Sequence, residues 1–277
     1  MVGKDSLQFA LNHMTTPNIS CMALLDLARE LGMVGVELRN DLAQPLFDGF
    51  EPQAIGRQAA ERVLRIFVLS EVPAFNDMNA TRLAQVSTLI SQAKAVGAQA
   101  IGLIPRNDGM RCDKAARRSD LRAALREILP LLQQAGIVGL VEPLGFDTAS
   151  LRHKSEVVEA IEALGATADI KIVHDTFHHH LAGETEFFAQ HTGIVHVSGV
   201  LDADLTPAQM RDNHRGLVQP GDRLGNLAQI CALGAAGYDN VLSFEAFAPE
   251  VHALLDARAA LQHSIDYIEN AGRVMAA

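Results

Sequence analysis

The chain has 277 residues, of which 48% are apolar, enough for one large α/β barrel or, alternatively, two smaller domains. Its formal charge of −10 repels polyanions and so argues against nucleic acid as the natural partner. No apolar run reaches membrane-span length, the first residues carry no signal-peptide pattern, and three scattered cysteines (Cys21, Cys112 and Cys231) form no disulfide framework, which together predict a cytoplasmic protein.

Short apolar runs alternate with longer amphipathic ones along the whole chain. The strands are expected at 7–11, 35–38, 64–69, 100–104, 138–142, 170–174, 194–198 and 241–245, each brief and rich in Val, Ile, Leu or Phe as buried parallel strands are. Helices are expected between them, at 21–31, 80–96, 119–134, 155–164 and 254–268. Asn79 caps the second of these, and Gly97, Gly136 and Gly165 stand where three of them end. A helix, a glycine and then a strand recur in "LARELGMVGVEL", "AKAVGAQAIGLI", "LLQQAGIVGLVE" and "LGAAGYDNVLSFE". Eight strands and about eight helices in one domain over 1–277 point to a (β/α)8 TIM barrel. A Rossmann-like sheet is the alternative, but no GxGxxG follows any of the strands. GxSxG and P-loop motifs are absent as well, and no cysteine has a base partner nearby in sequence.

Several strands end on ionisable residues where a buried strand should stay apolar. Strand 5 ends in Glu142, strand 6 in His174-Asp175 and strand 8 in Glu245, while strand 7 carries His196 near its end. In a barrel these ends share one mouth, where active sites lie. A lone strand-end Glu is commonly a helix cap or an ion-pair partner. Here three carboxylates and an imidazole stand on four successive strands, and the three like-charged carboxylates would repel one another unless a cation sat among them. That donor set suits one divalent ion: Mn²⁺, Mg²⁺, Co²⁺ or Zn²⁺. Glu37, near the end of strand 2, is expected to support this site or to pair with Arg39. In "HDTFHHH", three adjacent histidines on a short loop cannot all face one metal. His178 is favoured as a substrate contact, with His179 and His180 solvated or behind the site; His153, His191, His252 and His263 read as ordinary surface or helix histidines.

The segments "FALNHMTTPN", "GVELRND", "LVEPLGF", "VHDTFHHHLAG", "IVHVSG" and "VLSFEAFAPE" resemble the xylose isomerase-like barrel superfamily of sugar isomerases and epimerases, most of all its inosose isomerases. The resemblance covers most of the chain. It implies a metal on Glu142, Asp175, His196 and Glu245, with the two glutamates also moving protons. It further implies substrate contacts from His178 and Arg215, with Glu37 and Asn12 at the same mouth. The implied substrate is a polyol ketone or ketose, converted through a cis-enediolate in inositol or carbohydrate catabolism. A ketose 3-epimerase or hydroxypyruvate isomerase is the runner-up; a metal-dependent endonuclease or a non-catalytic sugar-binding barrel stands further off. A homo-oligomer is compatible with this picture. The chain departs from the family in the strand-7 loop, where Arg223 replaces the second glycine of a Pro-Gly-x-Gly turn and "DADLTPAQMRDN" precedes it. It also carries His13, after Asn12, where the inosose enzymes show an acidic residue.

Overall fold

The structure, a computed structural model, describes residues 7–110 and 113–275. Cys112 and the first six residues lie outside the described set. Eight parallel strands close into a barrel in sequence order. They are β1 (Phe9–Asn12), β2 (Gly35–Arg39), β3 (Arg65–Val72), β4 (Ala98–Leu103), β5 (Val138–Val141), β6 (Ile170–Asp175), β7 (Thr192–Val197) and β8 (Leu242–Phe244). The seam between first and last strands is a regular pairing, with Leu11 opposite Phe244. Just beyond it, the Thr15 hydroxyl donates to Phe244 O at 2.8 Å and accepts from the Ala246 N–H at 3.0 Å.

Around the barrel run α1 (Cys21–Glu30), α2 (Pro52–Glu61), α3 (Ala80–Val96), α4 (Lys114–Ala135), α5 (Lys154–Ala163), α6 (Thr176–Ala182), α7 (Asn226–Ala235), α8 (Pro249–His252) and α9 (Ala257–Met275). The sequence predicts α1, α3 and α5 to within a residue or so. It starts α4 five residues late, because the true N-cap is Asp113, whose side chain accepts from Ala116 N–H. The stretch "HDTFHHH" is a helix rather than a loop: Asp175 caps its start and Gly183, at φ 65°, ends it. No helix among the described residues is long and apolar enough to cross a membrane.

Strand side chains alternate between two faces. The outward set, including Leu11, Leu38, Leu69, Ile101, Leu103, Val195 and Phe244, packs under the helices as the main core. The inward set forms a second cluster of Ala10, Val68, Ala100, Leu140, Val173, Ile194 and Val241. Two residues further along, the inward positions become Asn12, Glu142, Asp175, His196 and Ser243. The barrel is thus plugged by an apolar layer, with a polar layer stacked above it at the C-terminal ends of the strands.

Candidate metal centre

Glu142, Asp175, His196 and Glu245 are all buried, and one donor atom from each lies within 4.8 Å of every other. Successive strands place them. Asp175 is paired with His196 in register, His196 with Ser243, and Glu245 follows the last residue of β8.

His196 sits at the centre. Its Nε2 is 3.2 Å from Glu37 Oε2, so the ring is oriented from behind by a carboxylate. Its Nδ1 points the other way, 3.1 Å from Glu245 Oε2, 3.7 Å from Glu142 Oε1 and 3.9 Å from Asp175 Oδ2. None of these contacts makes a hydrogen bond, and Nδ1 is left as a buried orphan. A buried ring nitrogen facing three carboxylate oxygens without a hydrogen bond is a position that a divalent cation would satisfy on displacing any proton there. The residues present therefore fit a metal.

Each carboxylate is held by a different device. Asp175 commits Oδ1 to the N–H groups of Phe177 and His178, at 2.8 and 3.0 Å, and leaves Oδ2 towards the cluster. Glu245 Oε1 accepts from Asn12 Nδ2 at 3.1 Å and Arg39 Nη1 at 2.8 Å. Arg215 Nη2 bridges Glu245 Oε2, at 2.9 Å, and Asp175 Oδ2. Glu142 is less tethered, with His196 Nδ1 at 3.7 Å and His178 Nε2 at 3.9 Å.

Charge follows this geometry. Burial, and then the neighbouring Glu245 charge, push the Glu142 carboxyl up to about 7. Burial would raise Glu245 too, but His196 and the two arginines hold it well below the usual carboxylate range. His196 is opposed by burial, yet Glu245 and Glu37 hold it well above an ordinary histidine. In the metal-free cluster, protons thus occupy Glu142 and His196.

The other residues singled out in the sequence converge here. Asn12 and Arg215 touch Glu245 directly. Glu37 is fully buried, accepting from the Ser243 hydroxyl and facing His196; it does not pair with Arg39. Arg39 instead reaches Asp41 and Glu71, and also Glu245, because the closed barrel sets β8 against β1, one strand away from β2. His178 is buried between the rings of Phe146 and Phe177, its Nδ1 accepting from Gly145 N–H at 3.2 Å. Its neighbour His179 is buried rather than solvated, stacked on Phe187 and His174, while His180 is half-buried. Cys21 is buried and its thiol is pushed up to about 12, chiefly by burial, which disqualifies it as a nucleophile.

Glu71, Phe247 and the reach of Arg39 into the site are not evident from sequence. Arg39 and Glu71 meet across strands, and burial raises Glu71 to about 7. Phe247 places its ring 4.5 Å from the Arg215 guanidinium and 5.8 Å from that of Arg39. Only the apolar-to-ionic change at strand ends is visible in one dimension, and a Phe inside an apolar run carries no such mark. In the strand-7 loop, the departure at Arg223 is accommodated: its Nη1 donates to Leu205 O at 2.7 Å and to Asp202 O, tying down the inserted segment.

The sequence profile described as "Xylose isomerase-like TIM barrel" matches residues 25–271. Among solved structures, a xylose isomerase domain-containing protein from Salmonella typhimurium LT2 is 27% identical, with 99% of this chain and 100% of that one aligned at a TM-score of 0.86. The IolI protein, with a bound zinc atom, aligns at 0.86 with 18% identity over 97% and 99% of the two chains. An L-ribulose 3-epimerase aligns at 0.73 with 18% identity over 97% and 95%. No curated protein sequence matches significantly.

Proposed function

The chain belongs to the xylose isomerase-like TIM barrel family, and from this premise we propose that it is a divalent-metal-dependent isomerase or epimerase of an uncharged polyol ketone or ketose, such as an inosose. The observation that carries the proposal is the orphan Nδ1 of His196 ringed by three carboxylates. The zinc in the IolI structure supports it by analogy, as does the epimerase among the structural relatives.

Glu142, Asp175, His196 and Glu245 would hold the metal. When bound, it supplies Lewis-acid polarisation of a substrate carbonyl and charge stabilisation for the adjacent oxygen. The remaining chemistry falls to the chain. Glu245 and Glu142 face each other across the cluster and are assigned to proton transfer at the carbon beside the carbonyl, passing through an enediolate. Return of the proton to the neighbouring carbon isomerises; return to the opposite face of the same carbon epimerises, which requires both carboxylates. His178 Nε2 and the Arg215 guanidinium are assigned to substrate hydroxyls, and Glu37 to holding His196 in one tautomer.

The charge balance favours a neutral substrate over hydroxypyruvate. Arg39 is met by Asp41, Glu71 and Glu245, and Arg215 by Asp175, Asp212 and Glu245. Each guanidinium is outnumbered by carboxylates, so neither offers spare positive charge to a substrate carboxylate or phosphate. The overall charge of −10 weighs equally against an endonuclease. A reducing cytoplasmic setting, argued from the sparse cysteines, completes the proposal.

The test is proton washout. The protein with Mn²⁺ is incubated in D2O with a panel of inososes, ketoses and hydroxypyruvate, and deuterium incorporation is followed by NMR. Exchange confined to neutral ketones is expected. Absence of exchange across the whole panel would sink the activity, and exchange confined to hydroxypyruvate would sink the substrate class.

A further inference from the structure

Outside the metal cluster, at the barrel's outer face beside β6, lies a second buried polar group. Lys154, the first residue of α5, is 3% exposed. Its Nζ is 3.1 Å from His174 Nδ1, 2.5 Å from His179 Nδ1 and 3.5 Å from Glu184 Oε2. An ammonium has three protons and no acceptor, so three acceptors satisfy it. Both imidazoles must then accept at Nδ1 and carry their proton on Nε2. His174 Nε2 accordingly donates to Gln229 Oε1 at 2.9 Å. That fixes the amide of Gln229, whose Nε2 donates to Thr176 O at 3.0 Å and Leu224 O at 2.8 Å. With Lys154 as an ammonium, each donor along the path Lys154–His174–Gln229–Thr176 has an acceptor.

The network ends on functionally placed backbone. Thr176 follows Asp175 and opens α6, and the first-turn N–H groups of α6 are the ones that hold Asp175 Oδ1. The placement of that turn therefore decides where Asp175 Oδ2 points, and where His178 Nε2 stands relative to Glu142. Leu224 belongs to the strand-7 loop, which Asp222 pins by accepting from the N–H groups of Val200, Leu224 and Asn226. Gln229 thus ties α7 to both the loop and α6.

Stability alone does not account for a buried ammonium here. Desolvating it costs several kcal/mol, and well-packed apolar side chains often serve as well or better. Burial lowers the Lys154 pKa to about 8, which expresses the same penalty. In some proteins such groups serve to define one arrangement among several.

We infer that Lys154, acting through His174 and Gln229, is a positioning residue that sets the first turn of α6 and so aims Asp175 and His178 at the metal centre. The inference rests on the metal reading given above. It is tested by calorimetric titration of the full chain with Mn²⁺, comparing wild type, Lys154→Met, Gln229→Leu and the double variant, with circular dichroism and melting of the metal-free proteins alongside. Each single variant should bind Mn²⁺ about tenfold more weakly with its barrel intact, the lower end of the effect of losing a group that orients a ligand. The double variant should be little worse than either single one, because both cut the same relay. Affinities within twofold of wild type in both single variants would overturn the inference. Affinity losses that simply add would do so too, as would losses found only in proteins that have lost their cooperative melt. If Lys154→Met does not fold, Gln229→Leu decides alone. A wild-type protein that takes up no Mn²⁺ would instead sink the metal reading, and this inference with it.

Discussion

The imidazole of His196 and the carboxylate of Glu37 meet inside the barrel, Nε2 to Oε2 at 3.2 Å, although 159 residues separate them in sequence. Glu37 has no exposed surface, and its other oxygen is occupied by Ser243. The pairing decides which histidine nitrogen faces the carboxylates. Glu37→Gln should therefore weaken Mn²⁺ binding by about 10–100-fold with no change in far-UV circular dichroism. Unchanged affinity in calorimetry would remove Glu37 from the site.

Glu245 accepts three side-chain hydrogen bonds, from Asn12, Arg39 and Arg215. Glu245→Gln keeps the shape and removes the charge. Deuterium washout should fall by at least about a thousandfold, since a ligand and a proton carrier disappear together. The variant should still melt cooperatively. Near-normal exchange on a substrate accepted by the wild type would refute its role.

Proton uptake gives a third check. Glu142 is raised to about 7 and His196 lies well above its ordinary value, so near pH 6 both hold protons that a metal must displace. Mn²⁺ affinity should climb as pH rises from about 6 to 8. Binding heats should vary with the ionisation enthalpy of the buffer, reporting proton release. Heats independent of buffer would contradict the protonated cluster.

Lys154 yields a pH dependence of the opposite origin. Its folded pKa of about 8 lies below the unfolded value of 10.5, so between these pH values the unfolded chain binds the extra proton. Wild-type stability should therefore gain on that of Lys154→Met as pH rises from 8 to 10.5, by at most about 3 kcal/mol. The groups facing the ammonium are His174 on β6, His179 on α6 and Glu184 in the loop beyond. Denaturant titrations at pH 8 and pH 10 would show the two proteins converging or diverging, and a constant difference would contradict the lowered value.

Gly145 is a close contact between the strand-5 loop and α6. A Cβ there would lie 2.3 Å from His178 O and 2.6 Å from Leu181 Cβ. Gly145→Ala should cost roughly 1–3 kcal/mol of stability, as overpacking does. It should also reduce exchange activity by displacing His178. A melting temperature equal to wild type would show that α6 yields without penalty.

The barrel and the clustering of these four residues are legible in the sequence for one reason. Parallel strands buried on both faces must be apolar, so Glu142, Asp175, His196 and Glu245 stand out at their ends. Arg39 and Glu71 are less visible, because an ionic residue near a strand end could equally face solvent, and only closure brings Arg39 to Glu245, 206 residues away. The helix at "HDTFHHH" is obscured for a local reason. Histidine is a middling helix former, and the first turn depends on Asp175 serving both as cap and as cluster member. Lys154 reads as an ordinary surface lysine until α5 is laid against β6 and α6.

The Thr15 hydroxyl grips the chain on both sides of Glu245 and spans the seam where the barrel shuts. This arrangement has a consequence for the order of assembly. During synthesis the cluster residues emerge as Glu142, Asp175, His196 and last Glu245, and the final one arrives in the same step that docks β8 on β1. An unfinished chain, with its seam open, has no complete cage to load. On the metal reading proposed above, metal capture would signal that the ring has been closed, and a barrel interrupted before β8 would stay unloaded however well its earlier strands have paired.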